Sequence, residues 1–516
     1  MPARIESLAP RYDLVIVGGG ITGAGILREA VRTGAQVLLV EQADFASGTS
    51  SWSSKLVHGG LRYLKQGHWR LTLESVRERQ RLLDEAPGLV EAQPFLLPIY
   101  RDSGPGPSLI RLGLLVYDLM AGRLGSRWLT ADEVATLEPS SRVQQRRGAM
   151  AYEDARTDDA RLVLRLILDA IAAGAQALNY TRAELRREGD RVCGVRLTDV
   201  DGGVSRDIEA GLVINATGCW AAQLPGAPAG APSLRPLRGS HLLFPASRLP
   251  ISRAVSWLHP ADARPVFAYP WEGGVLYGTT DLDHHHHGDP STPRASDDEL
   301  DYLMAGLRFQ FPSLALQASD AISTFSGVRP VVAGGQHDPS AESRESALWS
   351  SAGLVNITGG KLTTFRVTAR EVLAEAAKQQ PALAPAADAP VFAAGTPGGD
   401  RRLQGRLGAA AAQALQRECA EEAQQTIADT PYCWAELRWA LRHEQVRHLG
   451  DLLLRRTRIG LLMAQGGEAI FERVGLICRE ELGWDLARWE QELAHYREHW
   501  QRQHAPPSST QRRRSP

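Results

Sequence analysis

The chain has 516 residues, of which 43% are apolar and 23% are charged, so it is long enough to form two or three domains with ordinary globular cores. The formal net charge of −1 gives no reason to expect nucleic-acid binding. The five cysteines form no C-x-x-C pair, which argues against an iron–sulfur cluster, a zinc ribbon or a disulfide framework and is typical of a reducing cytoplasm. The sequence predicts neither a signal peptide nor a membrane-spanning helix, and a role at a membrane surface stays open.

The N-terminal segment predicts a strand–helix–strand unit. Residues 13–17 form a short apolar run that is typical of a buried strand. Residues 21–33 predict a helix, and residues 36–40 predict a second strand that ends at Glu41.

Gly18, Gly20 and Gly23 lie between the first strand and the helix in G-x-G-x-x-G spacing. Gly18 permits the tight turn, Gly20 lets the backbone approach a pyrophosphate, and Gly23 lets helix and strand pack closely. The helix N-terminus favours that pyrophosphate, and the carboxylate of Glu41 can accept hydrogen bonds from a ribose. The pattern predicts a dinucleotide site without distinguishing FAD from NAD.

The next part of the chain combines a polar loop with helices. Residues 48–55 form the loop, and residues 69–85 predict a helix. Residues 109–120 predict a dense apolar helix with arginines on both sides. That helix has two interpretations, a core helix of a substrate domain or an interfacial helix on a membrane surface.

Strands that share one sheet are expected far apart in the sequence. An amphipathic helix over residues 158–173 precedes predicted strands at 176–179, 192–197 and 211–215, and residues 352–357 predict a further buried strand. The chain between these strands would form an inserted domain, an arrangement more typical of FAD proteins than of simple NAD dehydrogenases.

We therefore expect an α/β fold with an FAD-binding Rossmann-like domain, an inserted α+β substrate domain and a helical C-terminal domain. The predicted boundaries are 12–95, 150–235 and 320–380 for the FAD-binding domain, 96–149 and 236–319 for the substrate domain, 381–400 for a linker, 401–505 for the helical domain and 506–516 for a disordered tail.

Six short motifs in this order resemble the aerobic, FAD-dependent glycerol-3-phosphate dehydrogenases. They are VGGGITGAG (17–25), SSKLVHGGLRYL (53–64), GSH (239–241), GTTD (278–281), SGVRP (326–330) and GGKLTT (359–364). RRTRIG (455–460) lies in a helical region similar to that family's C-terminal domain. The resemblance implies a D-amino-acid-oxidase-like fold with bound FAD.

The resemblance also implies an activity and a location. The expected reaction is oxidation of sn-glycerol 3-phosphate to dihydroxyacetone phosphate, with electrons passed to a membrane quinone. The expected location is cytoplasmic and peripheral, on the inner face of the cell membrane. Two alternatives stay open, an oxidase that uses oxygen and a non-catalytic FAD-binding protein that senses redox state. A homodimer is possible.

Such an oxidation requires a hydride acceptor, a base for the hydroxyl proton and cations for the phosphate. By resemblance, Arg62, Tyr63, Arg329 and Lys361 bind the substrate. Arg329 can offer two parallel donors to one oxyanion, and Lys361 follows two glycines at a predicted strand-to-helix turn.

Three residues compete for the role of base. His241 is favoured because it begins a strand that should face the substrate, and an imidazole titrates near neutral pH. His58, beside the predicted flavin position, and a Lys361 of low pKa are the alternatives.

The remaining predicted cofactor contacts lie in loops and at strand ends. They are Ser50, Ser51, Ser54, Lys55, His58, Gly59, Thr217, Gly218, Gly360 and Lys361. Cys219 stands where the family often has proline, and we assign its thiol no role. Four consecutive histidines from His284 to His287 are interpreted as a solvated loop, so no metal is expected.

Overall fold

The computed structural model describes residues 4–60, 69–102, 104, 106–123, 125–225, 232–284, 289–334 and 345–507. The predictions for Arg62, Tyr63 and His285 to His287 lie outside these residues, as does most of the predicted tail.

The strands in this part of the chain are β1 (Arg11–Val17), β2 (Val37–Val40), β3 (Leu56–Val57), β4 (Val90–Tyr100), β5 (Arg127–Thr130), β6 (Arg146–Thr157), β7 (Gln176–Leu178), β8 (Thr181–Glu188), β9 (Arg191–Asp199), β10 (Ser205–Asn215), β11 (Leu234–Pro245), β12 (Ala254–Leu258), β13 (Pro265–Trp271), β14 (Gly274–Gly278), β15 (Leu282–Asp283), β16 (Ser323–Val332), β17 (Ala347–Ser351) and β18 (Leu354–Thr358).

The α-helices are α1 (Ile21–Ala30), α2 (Trp69–Glu85), α3 (Pro107–Ala121), α4 (Ala131–Leu137), α5 (Asp159–Ala172), α6 (Asp297–Gln310), α7 (Phe365–Ala377), α8 (Arg401–Leu407), α9 (Ala409–Glu418), α10 (Trp434–His443), α11 (Leu449–Asp451), α12 (Ile459–Leu462), α13 (Phe471–Leu482) and α14 (Leu486–Gln503). Within the described residues, none of these helices is both long and apolar enough to cross a membrane.

The first sheet joins strands that are far apart in sequence. Its parallel core has the order β18–β10–β1–β2–β7, with Val15 opposite Val213 and Val213 opposite Leu354. Helices α1, α5 and α7 pack on one face, and the hairpin β8–β9 covers the other, so the apolar runs of β1 and β2 are buried on both sides. This topology confirms the predicted FAD-binding type of fold.

The second sheet supports the other wall of the site. Its order is β15–β11–β14–β13–β12–β4–β6–β3, with β16 beside β11 and β5 beside β6. Helix α6 packs on one face, where Leu303 and Leu307 contact the core around Tyr277. The C-terminal helices pack on the other face, around Tyr269 and Trp271. This sheet is thus enclosed by helices from two parts of the chain.

The structure places several segments differently from the predicted domain boundaries. The boundaries at 95/96 and 149/150 fall inside β4 and β6, which pair continuously from Val90 opposite Thr157 to Ile99 opposite Gly148. Strand β16, assigned by sequence to the FAD-binding domain, pairs with β11 of the second sheet. The sequence GPGP at residues 104–107 follows β4, so this glycine- and proline-rich composition marks the end of a strand and not a change of domain.

Residues 381–400 connect the domains but do not form a free linker. Val391 and Phe392 are buried in the core beside α1, and Arg28 donates to the carbonyl of Val391. The Ala-, Pro- and Gly-rich composition correctly indicates a scarcity of regular structure, but the segment is anchored by packing.

The C-terminal region is helical, as predicted, although one helix is interrupted. Within the predicted helical domain, residues 452–462 consist of a π-helical turn, Leu452–Arg456, followed by α12. Arg456 extends from this turn to Asp44, at 2.5 Å, and Arg458 reaches Asp158, at 2.9 Å. The break therefore accompanies a row of ion pairs to the FAD-binding domain.

Candidate functional site

A cavity of 1760 Å³ runs past the carboxyl ends of β1, β10 and β18 to the second sheet. Its lining begins at Gly18 and Glu41, continues past Thr217 and includes Arg329 and Lys361. Ligands of open parallel sheets bind outside the carboxyl ends of the strands. The cavity thus joins the predicted dinucleotide segment and the predicted substrate residues in one site.

The turn between β1 and α1 fits a pyrophosphate. Gly18 has a φ of +115°, and a Cβ there would lie 2.5 Å from the carbonyl oxygen of Ala216. A Cβ on Gly23 would lie 1.9 Å from the carbonyl oxygen of Gly18, so only glycine permits this packing. Gly20 is the N-cap of α1 and lines the cavity, so the helix N-terminus opens onto the site without an intervening side chain.

Glu41 is held at the end of β2 by backbone donors. Its carboxylate accepts hydrogen bonds from the N–H groups of Gly19, at 2.7 Å, and Ala43, at 2.9 Å. Burial raises the pKa of Glu41, and these two hydrogen bonds oppose the rise. Glu41 lines the cavity, and its contact with a ribose stays a prediction.

The serine-rich loop separates into two groups. Ser50 and Ser54 line the cavity, and the Ser50 hydroxyl accepts a hydrogen bond of 2.9 Å from the N–H of Ile21. Ser51 does not line the cavity, and its carbonyl accepts a hydrogen bond from Lys55 Nζ at 2.7 Å.

The prediction that Lys55 offers a cation to FAD does not hold. Its ammonium is completely buried and pairs with Asp159 at 2.8 Å. Burial, with a contribution from Arg458, lowers the pKa of Lys55 to about 8, against the opposing effect of Asp159. The cation therefore belongs to the contact with the C-terminal helices.

Thr217 and Gly218 are two further residues predicted to contact the cofactor. Both line the cavity after β10, and the carbonyl of Gly218 accepts a hydrogen bond of 2.9 Å from Thr358 of β18. Cys219 is buried with its thiol 3.5 Å from the carbonyl of Val328, and burial raises its pKa to about 12. The neutral thiol contributes packing near the cofactor site.

His58 lines the cavity, whereas Gly59 supports it from behind. The N–H of Gly59 donates to the hydroxyl of Tyr117 at 2.9 Å and to Asp154 at 3.2 Å. The carbonyl of His58 accepts a hydrogen bond of 3.4 Å from Thr363. This bond joins the His58 loop to the turn that carries Lys361, so both predicted functional loops meet at the same wall.

His241 does not line the cavity. Its ring is completely buried, stacks on Phe325 with centroids 4.7 Å apart, and contacts the hydroxyl of Ser54 at 2.9 Å through Nε2. The imidazole fills the space beside Gly278, where an added Cβ would lie 2.3 Å from its ring. Burial, with contributions from Arg329 and Lys55, places the pKa of His241 well below its usual value. It can therefore reach the site only through Ser54, and the predicted role of a base in contact with substrate does not match this position.

Arg329 projects from β16 into the cavity wall. It pairs with Asp281 at 3.0 Å, and its second terminal nitrogen lies 3.4 Å from the hydroxyl of Thr279. A Cβ on Gly239 would lie 2.4 Å from the guanidinium, so glycine at this position of β11 makes room for it. The structure thus seats Arg329 against polar groups on the side facing the cavity.

Lys361 follows a turn made of two glycines. Gly359 and Gly360 have φ values of +77° and +82°, which other residues rarely adopt. Gly359, Gly360 and Lys361 all line the cavity. The predicted strand-to-helix turn is present, and it brings the lysine to the same cavity as Arg329 and His58.

Two residues that were not predicted from the sequence also belong to the site. Asp281 is buried beneath Arg329, and Arg264 lies on the cavity wall within 3.3 Å of the same carboxylate. The GTTD motif contained the signal for Asp281, since an acid in such a motif needs a cation when it is buried. The sequence around Arg264 contains no comparable motif that would have indicated its place in the site.

Within the described residues, no three His, Cys, Asp or Glu side chains are grouped as metal ligands. The backbone N–H of His284 donates to the carbonyl of Pro236 at 2.9 Å, and its side chain is buried. This histidine is therefore not part of a solvated loop, in contrast to the prediction for it.

Comparison with known proteins gives two family matches. Residues 13–375 match the family described as FAD dependent oxidoreductase, and residues 398–489 match the C-terminal domain of alpha-glycerophosphate oxidase. Together they cover the part of the chain that forms the two sheets and most of the C-terminal helical region.

Curated relatives and solved structures agree with these matches. An aerobic glycerol-3-phosphate dehydrogenase of Staphylococcus epidermidis is 37% identical over 376 residues, covering 71% of this chain and 67% of the relative. One from Bacillus subtilis is 38% identical over 375 residues, covering 70% and 66%. The structure of the glycerol-3-phosphate dehydrogenase from Bacillus halodurans complexed with FAD has a TM-score of 0.78 and 27% identity, and covers 96% of each chain.

Proposed function

The chain belongs to the FAD-dependent oxidoreductases and, among them, to the family of aerobic glycerol-3-phosphate dehydrogenases, and from this premise we propose that it oxidises sn-glycerol 3-phosphate to dihydroxyacetone phosphate. The observation that carries the proposal is the meeting of Arg329, Lys361 and His58 on the wall of the cavity that begins at the pyrophosphate turn. Cations suit a phosphorylated substrate, and an imidazole suits removal of the hydroxyl proton.

Each residue has a distinct task in this reaction. Arg329 binds and orients the anionic substrate through its planar fork, which Asp281 and Thr279 hold in place. Lys361 adds a point charge on the wall of the same cavity. The bound FAD supplies the hydride acceptor. Arg62 and Tyr63, outside the described residues, stay proposed substrate contacts.

We assign the proton to His58 in preference to His241. His58 lines the cavity beside the Lys361 turn, whereas the ring of His241 is enclosed between Phe325 and Gly278. Lys361 is the remaining candidate, because it lines the same wall. His241 supports Ser54, whose hydroxyl it contacts at 2.9 Å.

Anaerobic titration of the FAD-loaded protein with glycerol 3-phosphate tests the proposal. We expect loss of the oxidised flavin absorption and formation of one equivalent of dihydroxyacetone phosphate. A protein that binds FAD and responds to dithionite but not to glycerol 3-phosphate would instead support a redox-sensing role.

We further propose a membrane quinone as electron acceptor. One end of the cavity is lined by apolar residues of β4 and α3, among them Leu97, Ile110 and Val116, which suits an apolar acceptor. Turnover in air that releases stoichiometric peroxide, with no stimulation by a soluble quinone, would identify an oxidase.

Peripheral membrane binding is proposed for helix α3. Leu109, Leu112, Leu115 and Leu119 are 45–66% exposed, while Leu114 on the opposite face is buried. One face of the helix therefore packs on the protein, as a core helix would. The other face presents a row of leucines, as an interfacial helix would. Exposed apolar surface of this kind marks a binding surface.

Vesicle flotation can test this surface. The protein should float with anionic vesicles at low salt, and Leu115→Glu combined with Leu119→Glu should abolish flotation. Leu476→Glu, at a leucine of α13 that is 52% exposed, is the matched control and should float normally. Equal flotation of both variants would place the membrane contact elsewhere.

A further inference from the structure

One buried carboxylate joins two arginines at the wall of the cavity. Asp281 Oδ1 is 3.0 Å from Arg329 Nη1, and Asp281 Oδ2 is 3.3 Å from Arg264 Nη2. The Asp281 side chain is 2% exposed, whereas the side chains of Arg264 and Arg329 are 23% and 19% exposed. The acid thus lies beneath the two guanidinium groups, and both of them reach the cavity.

Arg264 is carried by a well-ordered turn before β13. The N–H of His259 donates to the carbonyl of Arg264 at 2.7 Å, and the N–H of Arg264 donates to Asp262 at 3.1 Å. The ring of His259 stacks on Tyr302, with centroids 3.7 Å apart, and Tyr302 donates to Asp262. These contacts fix the backbone from which the arginine extends, so little order has to be gained when a ligand binds.

The contacts of Arg264 leave donor capacity for a ligand. A guanidinium has five N–H donors. Among the described residues, the side chain of Arg264 contacts the Asp281 carbonyl through Nη1, at 3.3 Å, and the Asp281 carboxylate through Nη2. The remaining donor directions can serve an anion in the cavity.

The cationic groups on this wall also favour an anion. The guanidinium groups of Arg264 and Arg329 lie on either side of Asp281, and Lys361 lines the same cavity. A phosphate ester carries about −1.5 to −2 charges at neutral pH. The site therefore matches a phosphate dianion better than Arg329 alone would.

We propose that Arg264 and Arg329, aligned by Asp281, bind the phosphate group of the substrate together. This inference rests on the proposed function, because it names the subsite for the phosphate of glycerol 3-phosphate. Arg264 acts in binding and not in the chemical step, since a guanidinium keeps its protons in proteins and cannot serve as the base.

Arg264→Ala tests this assignment, with Arg264→Lys as the conservative variant and Arg248→Ala as the control. Arg248 is exposed and pairs with Asp320, away from the cavity wall. Two quantities are measured, the glycerol 3-phosphate concentration for half-maximal rate of anaerobic flavin reduction, and the dissociation constant of inorganic phosphate from its perturbation of the flavin spectrum.

For Arg264→Ala we expect both quantities to rise about 10- to 100-fold, because one charge-assisted contact is lost. The limiting reduction rate should stay within about threefold of the original, since the loss affects binding. Arg264→Lys should recover part of the affinity, and Arg248→Ala should match the unmodified protein. If Arg264→Ala loses its FAD, Arg264→Gln replaces it, because the amide can still donate to Asp281 without the charge.

An unchanged phosphate dissociation constant in the FAD-loaded variant would overturn the inference and leave Arg264 as an ion-pair partner of Asp281. A fall in limiting rate with unchanged affinity would overturn it as well. If glycerol 3-phosphate does not reduce even the unmodified protein, the proposed function fails, and the measurement with inorganic phosphate still decides whether Arg264 binds an anion.

Discussion

Two groups of charged side chains, one between the domains and one at the cavity, differ in how far they are accessible to a ligand. The first, which we call the interdomain cluster, consists of Lys55, Asp158, Asp159, Arg406 and Arg458. Its cations contact the two carboxylates at 2.6–3.0 Å, and all five side chains are at most 2% exposed. Such a cluster has little capacity left for a ligand.

The cavity group, Arg264, Asp281, Arg329 and Lys361, differs from this cluster in its access to the cavity. It contains three cations and one carboxylate, and all four residues line the cavity. The side chains of Arg264 and Arg329 are 23% and 19% exposed, so their guanidinium groups can contact a ligand in the cavity. The comparison teaches that access to the cavity, and not the presence of a basic residue in a motif, distinguishes a binding residue from a structural one.

The largest effect is expected from the histidine on the cavity side. His58→Gln should slow flavin reduction by glycerol 3-phosphate by about 10²–10⁴-fold, because a positioned base is lost. His241→Gln should slow it far less, since its ring contacts the site only through Ser54. Stopped-flow reduction of both FAD-loaded variants measures this. The reverse ranking would return the role of base to His241.

The next effect tests the interdomain cluster. Arg458→Met should lower the free energy of unfolding by about 3–5 kcal/mol, because it leaves Asp158 and Asp159 with less compensating charge in a fully buried place. The denaturation midpoint in urea reports the change. Arg497→Ala, which removes an exposed pair with Glu468, should cost at most about 1 kcal/mol. Equal midpoints for the two variants would show that the cluster is not a structural tie.

Arg329→Ala should show the complementary behaviour, with activity lost and stability kept. We expect a decrease of about 10²–10³-fold in the rate of flavin reduction at low substrate concentration, because a charge-assisted contact that binds and orients the substrate is lost. Arg329→Lys should recover part of the rate, because the charge returns without the fork. Flavin content and denaturation midpoint are measured in parallel. A near-normal rate in the FAD-loaded Arg329→Ala protein would make Arg329 structural.

Much of the fold could be predicted because its signals are local. The strand–glycine–helix unit at Gly18 to Gly23, the buried strands and helix α5 follow from apolar periodicity and turn chemistry. The glycines at 359 and 360 likewise mark a turn that few other residues could form. These features depend on the residues of one segment.

The errors concern side chains whose direction is decided by distant residues. Lys55 has a left-handed backbone, with φ of +52°, and its ammonium is drawn to Asp159, more than 100 positions away in the chain. His241 occupies the space left by Gly278 on the neighbouring strand. Sequence periodicity specifies that a strand has two faces, but only the packed partners decide which face meets the cavity.

The smallest expected effect concerns the pH dependence of the free energy of unfolding, through the buried side chain of His504. His504 is 1% exposed, its ring lies 4.9 Å from that of Trp52, and its Nδ1 donates to the carbonyl of Thr324 at 3.0 Å. Burial, with a contribution from His499, lowers the pKa of His504 to about 3. The neutral ring is therefore the form that the folded protein accommodates.

The sign of the effect follows from the lowered pKa. Protonation favours the unfolded chain, where a histidine has a pKa of about 6.5, so this residue's contribution is complete above that pH and is lost as the pH falls. The loss should approach about 1.4 kcal/mol for each pH unit below 6.5.

His504→Phe keeps an aromatic ring against Trp52 but cannot be protonated, so its denaturation midpoint should fall less steeply between pH 6.5 and pH 5. Comparison of midpoints at these two pH values, for the variant and the unmodified protein, measures the difference. Parallel slopes would mean that His504 does not control acid stability, and that the carboxylates of the interdomain cluster or other buried histidines such as His499 do.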